Sequence, residues 1–197
     1  MEKISINGGN SFCPQALYLY GTYTADGKPN YALFCWCAYC AVGNQLKFVA
    51  CIGEDKLTRD RIRETGILSA TVVTDELLPA ADFCGCNSGK DVDKANVIPT
   101  EKGTALDVPV PVNGMWTMEL KVDDTLHPEG DENSDVYICS IKNVRADGRL
   151  ADDSLSFEEK LALMKPVVTM CGKYIPVETR SIGDWGSQQG KLDRPTE

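Results

Sequence analysis

Met115-Trp116-Thr117-Met118-Glu119-Leu120-Lys121-Val122 is the stretch that decides the fold class. Trp116, Met118, Leu120 and Val122 alternate with Thr117, Glu119 and Lys121, the period-two pattern of a strand with one face in a core. Residues 136–144 read as its partner, across an acidic, loop-like run from Asp123 to Asp135. Upstream, residues 15–23 alternate and are rich in Tyr, and Asp26-Gly27 makes a turn. Residues 30–42 then read as extended chain and 46–52 as another strand, so the first three elements suggest a β-meander. Residues 68–73 and 167–170 are further short strands.

Helical signals are short. Residues 57–65 form a polar helix that Gly66 closes as a left-handed cap. Residues 75–83 read as a second, with Asp75 at its N-cap, and 156–164 as a third, with Ser156 and Glu159 in capping-box spacing. Between them, residues 84–114 read as a long loop, a length that usually accompanies function. The tail from Asp184 is polar and expected to be loose. The expected fold is mainly β with short helices, nearer a barrel than a doubly wound sheet.

Composition narrows the function. A chain of 197 residues, 43% hydrophobic and 25% charged, suits one globular domain over residues 1–197. Twenty Lys plus Arg against 29 Asp plus Glu give a net charge of −9, which argues against nucleic acid or an anionic membrane as partner. The apolar middle of the uncharged run, residues 31–42, is too short to cross a bilayer of about 30 Å as a helix. Residues 1–8 show neither a basic nor an apolar signal region, so a cytoplasmic location is expected. His127 is the single histidine. Metal sites that need two histidines are therefore excluded, and a Ser-His-Asp triad would have to draw on the acidic run.

Nine cysteines in a reducing compartment read as free thiols. Cys37 and Cys40 have CxxC spacing, but Ala38 and Tyr39 between them belong to an apolar run instead of a metal knuckle. On a strand Cys35 and Cys37 would share one face as small hydrophobes. Core packing is the main reading of the set, with a metal module or a redox dithiol as alternatives. Gly85-Cys86-Asn87-Ser88-Gly89-Lys90 has the wrong glycine spacing for a P-loop, and Asp91 stands where Ser or Thr must hold magnesium. The segment from Lys56 to Arg63 holds Lys56, Arg59, Arg61 and Arg63 against Asp60. It is either a solvated helix face paired with Glu54, Asp55 and Glu64, or a phosphate seat made by Lys56, Thr58 and Arg59 at a helix start. Trp36 is either core or an aromatic beside a ligand ring.

The ordered set of segments resembles the flavin reductase-like, FMN-binding split-barrel family, in particular its flavoredoxin-like members. The matching pieces run from Tyr23-x-x-Asp26-Gly27-x-Pro29-Asn30 with Trp36, through Lys56-x-Thr58-x-x-x-Ile62-x-x-Thr65-Gly66 and Ser88-Gly89-x-x-x-Asp93-Lys94, to the 115–122 strand and Gly172-x-Tyr174. They cover about residues 12–185. The resemblance implies a split β-barrel and two-electron chemistry on non-covalent FMN, with no catalytic side chain and no metal. It implies that Asn30 and Trp36 lie along the isoalloxazine, that the backbone of Phe34, Cys35, Trp36 and Cys37 touches its polar edge, that Lys56 and Thr58 hold the phosphate, and that Ser88 and Lys94 approach from the long loop. It also implies a homodimer that exchanges electrons with a small-molecule or protein partner, with NADH or NADPH as possible donor. A non-enzymatic FMN electron carrier is the alternative. One departure stands out: the family often has Gly-Asp-His ahead of the strand that starts here at Val136, and this chain has Asn133-Ser134-Asp135.

Overall fold

The computed structural model describes residues 3–5, 9, 12–53 and 55–191. Its strands are β1 (Gln15–Ala16), β2 (Tyr18–Tyr23), β3 (Pro29–Phe34), β4 (Cys37–Val42), β5 (Gln45–Ile52), β6 (Ile67–Val72), β7 (Thr100–Lys102), β8 (Pro109–Pro111), β9 (Trp116–Leu126), β10 (Asp135–Ala146), β11 (Val167–Met170) and β12 (Lys173–Pro176). Helices α1 (Leu57–Thr65), α2 (Leu78–Cys86) and α3 (Phe157–Met164) sit among them.

Seven strands form one antiparallel sheet in the order β3-β2-β6-β9-β10-β5-β4. The sheet curls until its two halves meet. Tyr18 of β2 packs its ring edge-on to Phe48 of β5, with centroids 5.1 Å apart, and the Tyr18 hydroxyl lies 3.1 Å from that of Tyr39 on β4. Inside the barrel lie Tyr20, Phe34, Phe48, Ile52, Leu68, Met118, Leu120 and Tyr137. Outside it α2 lays Leu77, Ala81 and Cys84 over Leu19 and Tyr31, the outward residues of β2 and β3, and forms a second core. Alternation along β2 and β3 thus serves two cores, one on each face. A three-stranded sheet, β1-β11-β12, completes the fold.

Several expectations hold. Helix α1 ends where Gly66, at φ 69°, turns left-handed and its N–H reaches the Ile62 carbonyl. Both halves of the Ser156–Glu159 capping box are present in α3. β9 and β10 pair as read.

Others are corrected. The first strands do not form a meander: β3 and β4 lie at opposite ends of the sheet order, because the extended run breaks at Cys35-Trp36 and crosses from one edge to the other. The same break puts Cys35 against the outer core and Cys37 against the barrel core, so they do not share a face. On β9, Thr117 and Glu119 are as buried as Met118, because the long connection folds over that face. That connection is not all loop; it opens with the end of α2 and carries the hairpin β7–β8. Helix α2 starts three residues later than expected, and Thr74, not Asp75, accepts the Leu77 N–H. Strand β9 runs on into the acidic segment to Leu126, with Asp123 bulged out of register and bound to Lys47 at 2.7 Å. Among the described residues no helix is long and apolar enough to cross a membrane.

Candidate functional site

The site begins where β5 hands over to α1. Lys56 is extended, and no side chain caps the helix start. The N–H groups of a first helical turn point away from the helix, so this end presents donors and a positive dipole. Thr58 in that turn is buried, and its Oγ1 accepts a 3.1 Å hydrogen bond from Asn30 Nδ2. Asn30 is buried too, and its Nδ2 also reaches Thr22 Oγ1 at 3.4 Å. The 88–94 segment approaches from the other side. A Cβ on Gly89 would strike Asn30 Oδ1, so this close approach needs glycine. Lys94 ties the segment down: its buried ammonium donates to the carbonyls of Tyr31 at 2.9 Å and Cys84 at 2.8 Å. Burial holds its pKa below the usual lysine range.

Phe34, Lys56, Thr58, Ser88 and Lys94 therefore line one narrow cleft between α1, β3 and the end of α2. It encloses about 20 Å³. That is roughly one water's worth of space, too little to enclose a larger ligand. Trp36 stands apart from the cleft lining. Its side chain is 52% exposed, which rules out the core reading. Its carbonyl accepts the Cys51 N–H at 2.9 Å, and a Cβ on Gly53 would stand 3.3 Å from its ring on one side and 3.4 Å from Ser134 Oγ on the other. The side chains of Cys35 and Cys37 face the cores and leave only backbone towards the surface; burial pushes the Cys37 thiol up to about 11.

The arginines after Lys56 pair with Asp55 and Glu64 as the helix-face reading has it, but only Arg63 is exposed. Arg59 is buried and donates to the Asn133 carbonyl at 2.7 Å, with Asp55 and Asp60 beside it. Arg61 binds Glu64 and the Tyr23 carbonyl, and Arg63 binds Asp135 at 2.6 Å. Glu54, the other expected partner, lies outside the described residues. Lys90 reaches Asp55, and Asp60 at 2.8 Å, across the cleft mouth.

Sequence reading missed the hub at Asp135. Its fully buried carboxylate takes Arg63, the Tyr137 hydroxyl at 2.6 Å and His127 Nδ1 at 2.7 Å. Burial alone would raise its pKa; the bonds from Arg63, Tyr137 and His127 outweigh that and hold it well below the carboxylate range. The available signal was an Asp leading into a strand opposite a basic helix. Among the described residues no group of three or more His, Cys, Asp or Glu is arranged to hold a metal ion.

Comparison with known proteins gives a match to the family model described as a flavin reductase like domain, over residues 10–164. No curated protein matches the sequence significantly. Among solved structures, flavoredoxin from Methanosarcina acetivorans superimposes with a TM-score of 0.84 at 21% identity, over 98% of this chain and 100% of its own. Flavoredoxin of Desulfovibrio vulgaris (Miyazaki F) gives 0.82 at 21% identity, over 94% and 98%. An FMN-binding protein from Thermus thermophilus gives 0.74 at 17% identity, over 93% and 98%. A further neighbour, from Shewanella frigidimarina, is described as a putative flavin reductase with a split barrel domain. At these identities the likeness is one of fold.

Proposed function

The chain belongs to the flavin reductase like family, and from that membership we propose that it is an FMN-dependent oxidoreductase of the flavoredoxin type, one domain binding FMN without a covalent bond. The observation that carries the reading is the cleft that Phe34, Lys56, Thr58, Ser88 and Lys94 line at an uncapped helix start, with the half-exposed Trp36 indole beside Gly53, three residues before Lys56. The donor set fits the cofactor. Lys56, Thr58 and the first N–H groups of α1 would hold the phosphate, with Ser88 above them. Asn30 and the Trp36 ring would flank the isoalloxazine, and the backbone from Phe34 to Cys37 would meet its polar edge. Bound there, FMN supplies the two-electron chemistry; the protein supplies orientation, charge and exclusion of water. Lys94 serves the site by fixing the loop wall. The reading requires no catalytic side chain, so the missing family histidine does not remove a required group.

The testing experiment compares FMN with riboflavin by calorimetric titration. A charge-assisted hydrogen bond contributes about 1.5–3 kcal/mol, so riboflavin is expected to bind roughly tenfold to a hundredfold more weakly. Lys56→Glu weakens FMN and leaves riboflavin nearly unchanged. Equal losses for both would move the phosphate seat elsewhere, and a colourless protein that takes up neither flavin would end the reading. Turnover with NADH or NADPH alone separates a reductase from an electron carrier that meets a protein partner.

A further inference from the structure

Two of the exposed thiols lie at the end of the small sheet, on elements that the candidate flavin site does not use. β1 pairs with β11 in the register Gln15 to Thr169 and Ala16 to Val168. Carried two residues past the paired strands, that antiparallel register would set Cys13 opposite Cys171, the first residue of the following turn. The two segments touch there: the N–H of Phe12, the neighbour of Cys13, donates to Cys171 Sγ at 3.2 Å. Both cysteines are free and exposed.

The backbone here runs against local preference. Cys171 and Gly172 are the two turn residues between β11 and β12, and both are left-handed, at φ 54° and 68°. Such turns favour Asn, Asp or Gly at their first position. A thiol stands there instead. Phe12 is also left-handed, at φ 62°, so two residues of uncommon conformation touch one another through the sulfur. Backbone held in sparsely populated regions points towards function when it clusters. Elsewhere, burial raises the thiols of Cys35, Cys51 and Cys84, and lifts that of Cys139 to about 12, which slows their exchange.

We propose that Cys13 and Cys171 close reversibly into a cross-strand disulfide by exchange with a small disulfide of the glutathione class. The Cys171 thiolate attacks one sulfur of oxidised glutathione, forms a mixed disulfide and releases one glutathione thiolate. The Cys13 thiolate then attacks the Cys171 sulfur, the protein disulfide forms, and the second glutathione leaves. Two cysteine thiols are oxidised, one glutathione disulfide is reduced, and the two protons pass to the departing glutathione thiolates.

The test equilibrates the purified full chain with defined ratios of oxidised and reduced glutathione, quenches with acid, alkylates, and digests with trypsin without reduction. Lys165-Pro166 resists cleavage, so residues 161–173 emerge as one peptide with Cys171 as its sole cysteine. This peptide is expected to be joined to residues 4–47, with fragment ions placing the bond at Cys13. Cys13→Ser and Cys171→Asn, the latter suited to a left-handed turn, each abolish the linkage while the melting temperature of the reduced protein stays close to wild type. A bond from Cys171 to Cys35, Cys37 or Cys40 would overturn the proposal. So would mixed disulfide alone, or full alkylation of both thiols at the most oxidising ratio.

Discussion

Glu119 carries a charge into a face that strand alternation assigns to solvent. Its carboxylate is fully buried and accepts the N–H groups of Thr104 at 3.0 Å, Ala105 at 2.8 Å and Leu106 at 2.7 Å, with Asn143 Nδ2 at 2.8 Å. Burial raises its pKa, and the bonds from Asn143 and the three N–H groups outweigh that, so the net shift is downward. The folded chain therefore holds this proton less readily than the unfolded chain. Glu119 stabilises the fold above the ordinary carboxylate range, and that contribution is lost as pH falls through the depressed value. Glu119→Gln is expected to lower stability by about 1–3 kcal/mol near neutral pH, with a shallower loss on acidification, measured by urea unfolding across pH. Gly89 makes a site-level counterpart. Gly89→Ala sets a methyl against Asn30 Oδ1. The 88–94 segment must then back away, and FMN affinity is expected to fall with little change in melting temperature. Unchanged affinity in a calorimetric titration would mean that this segment plays no part in binding.

At the level of elements, legibility followed locality. α1, α3 and the β9–β10 pair announce themselves through caps and alternation within a few residues, and the structure has the helices where they are read and the strands paired as read, with β9 running four residues further, to Leu126. Of the cleft residues, Lys56 and Thr58 were legible from the helix start, and Ser88 through the ordered set of short motifs. What escaped depends on chain remote in sequence. Glu119 looks solvent-facing until residues 104–106 fold over it, and Asp135 looks like loop until Arg63 reaches it from α1. The split of the 30–42 run into two edge strands likewise leaves no local mark, since Cys35-Trp36 is as apolar as its flanks. Gly21 on β2 shows a constraint of the same long-range kind. A Cβ there would stand 2.7 Å from the Tyr31 ring and 2.9 Å from the Pro109 carbonyl, where β8 crosses the strand. Gly21→Ala is expected to cost about 1–3 kcal/mol, read from the urea midpoint, because neither an aromatic ring in the core nor a backbone carbonyl can yield cheaply.

For the whole molecule, the open question of chemistry is how the barrel's free edge is covered. β4 ends the seven-stranded order and bears Tyr39, Val42 and, from neighbouring β5, Leu46, all about half exposed. Unprotected apolar edges invite pairing. A second copy of the chain is the expected cover, and light scattering at micromolar concentration with FMN bound should find a dimer; Val42→Lys with Leu46→Lys should shift it towards monomer. The crossing at Cys35-Trp36 has a consequence of its own. Here the polypeptide leaves one margin of the sheet and enters the other within two residues, so the indole rides on the suture of the barrel. A molecule stacked on that indole would act as a rivet through both margins. Its grip would be registered less by the neighbouring loops than by the resistance of the entire cylinder to being unrolled.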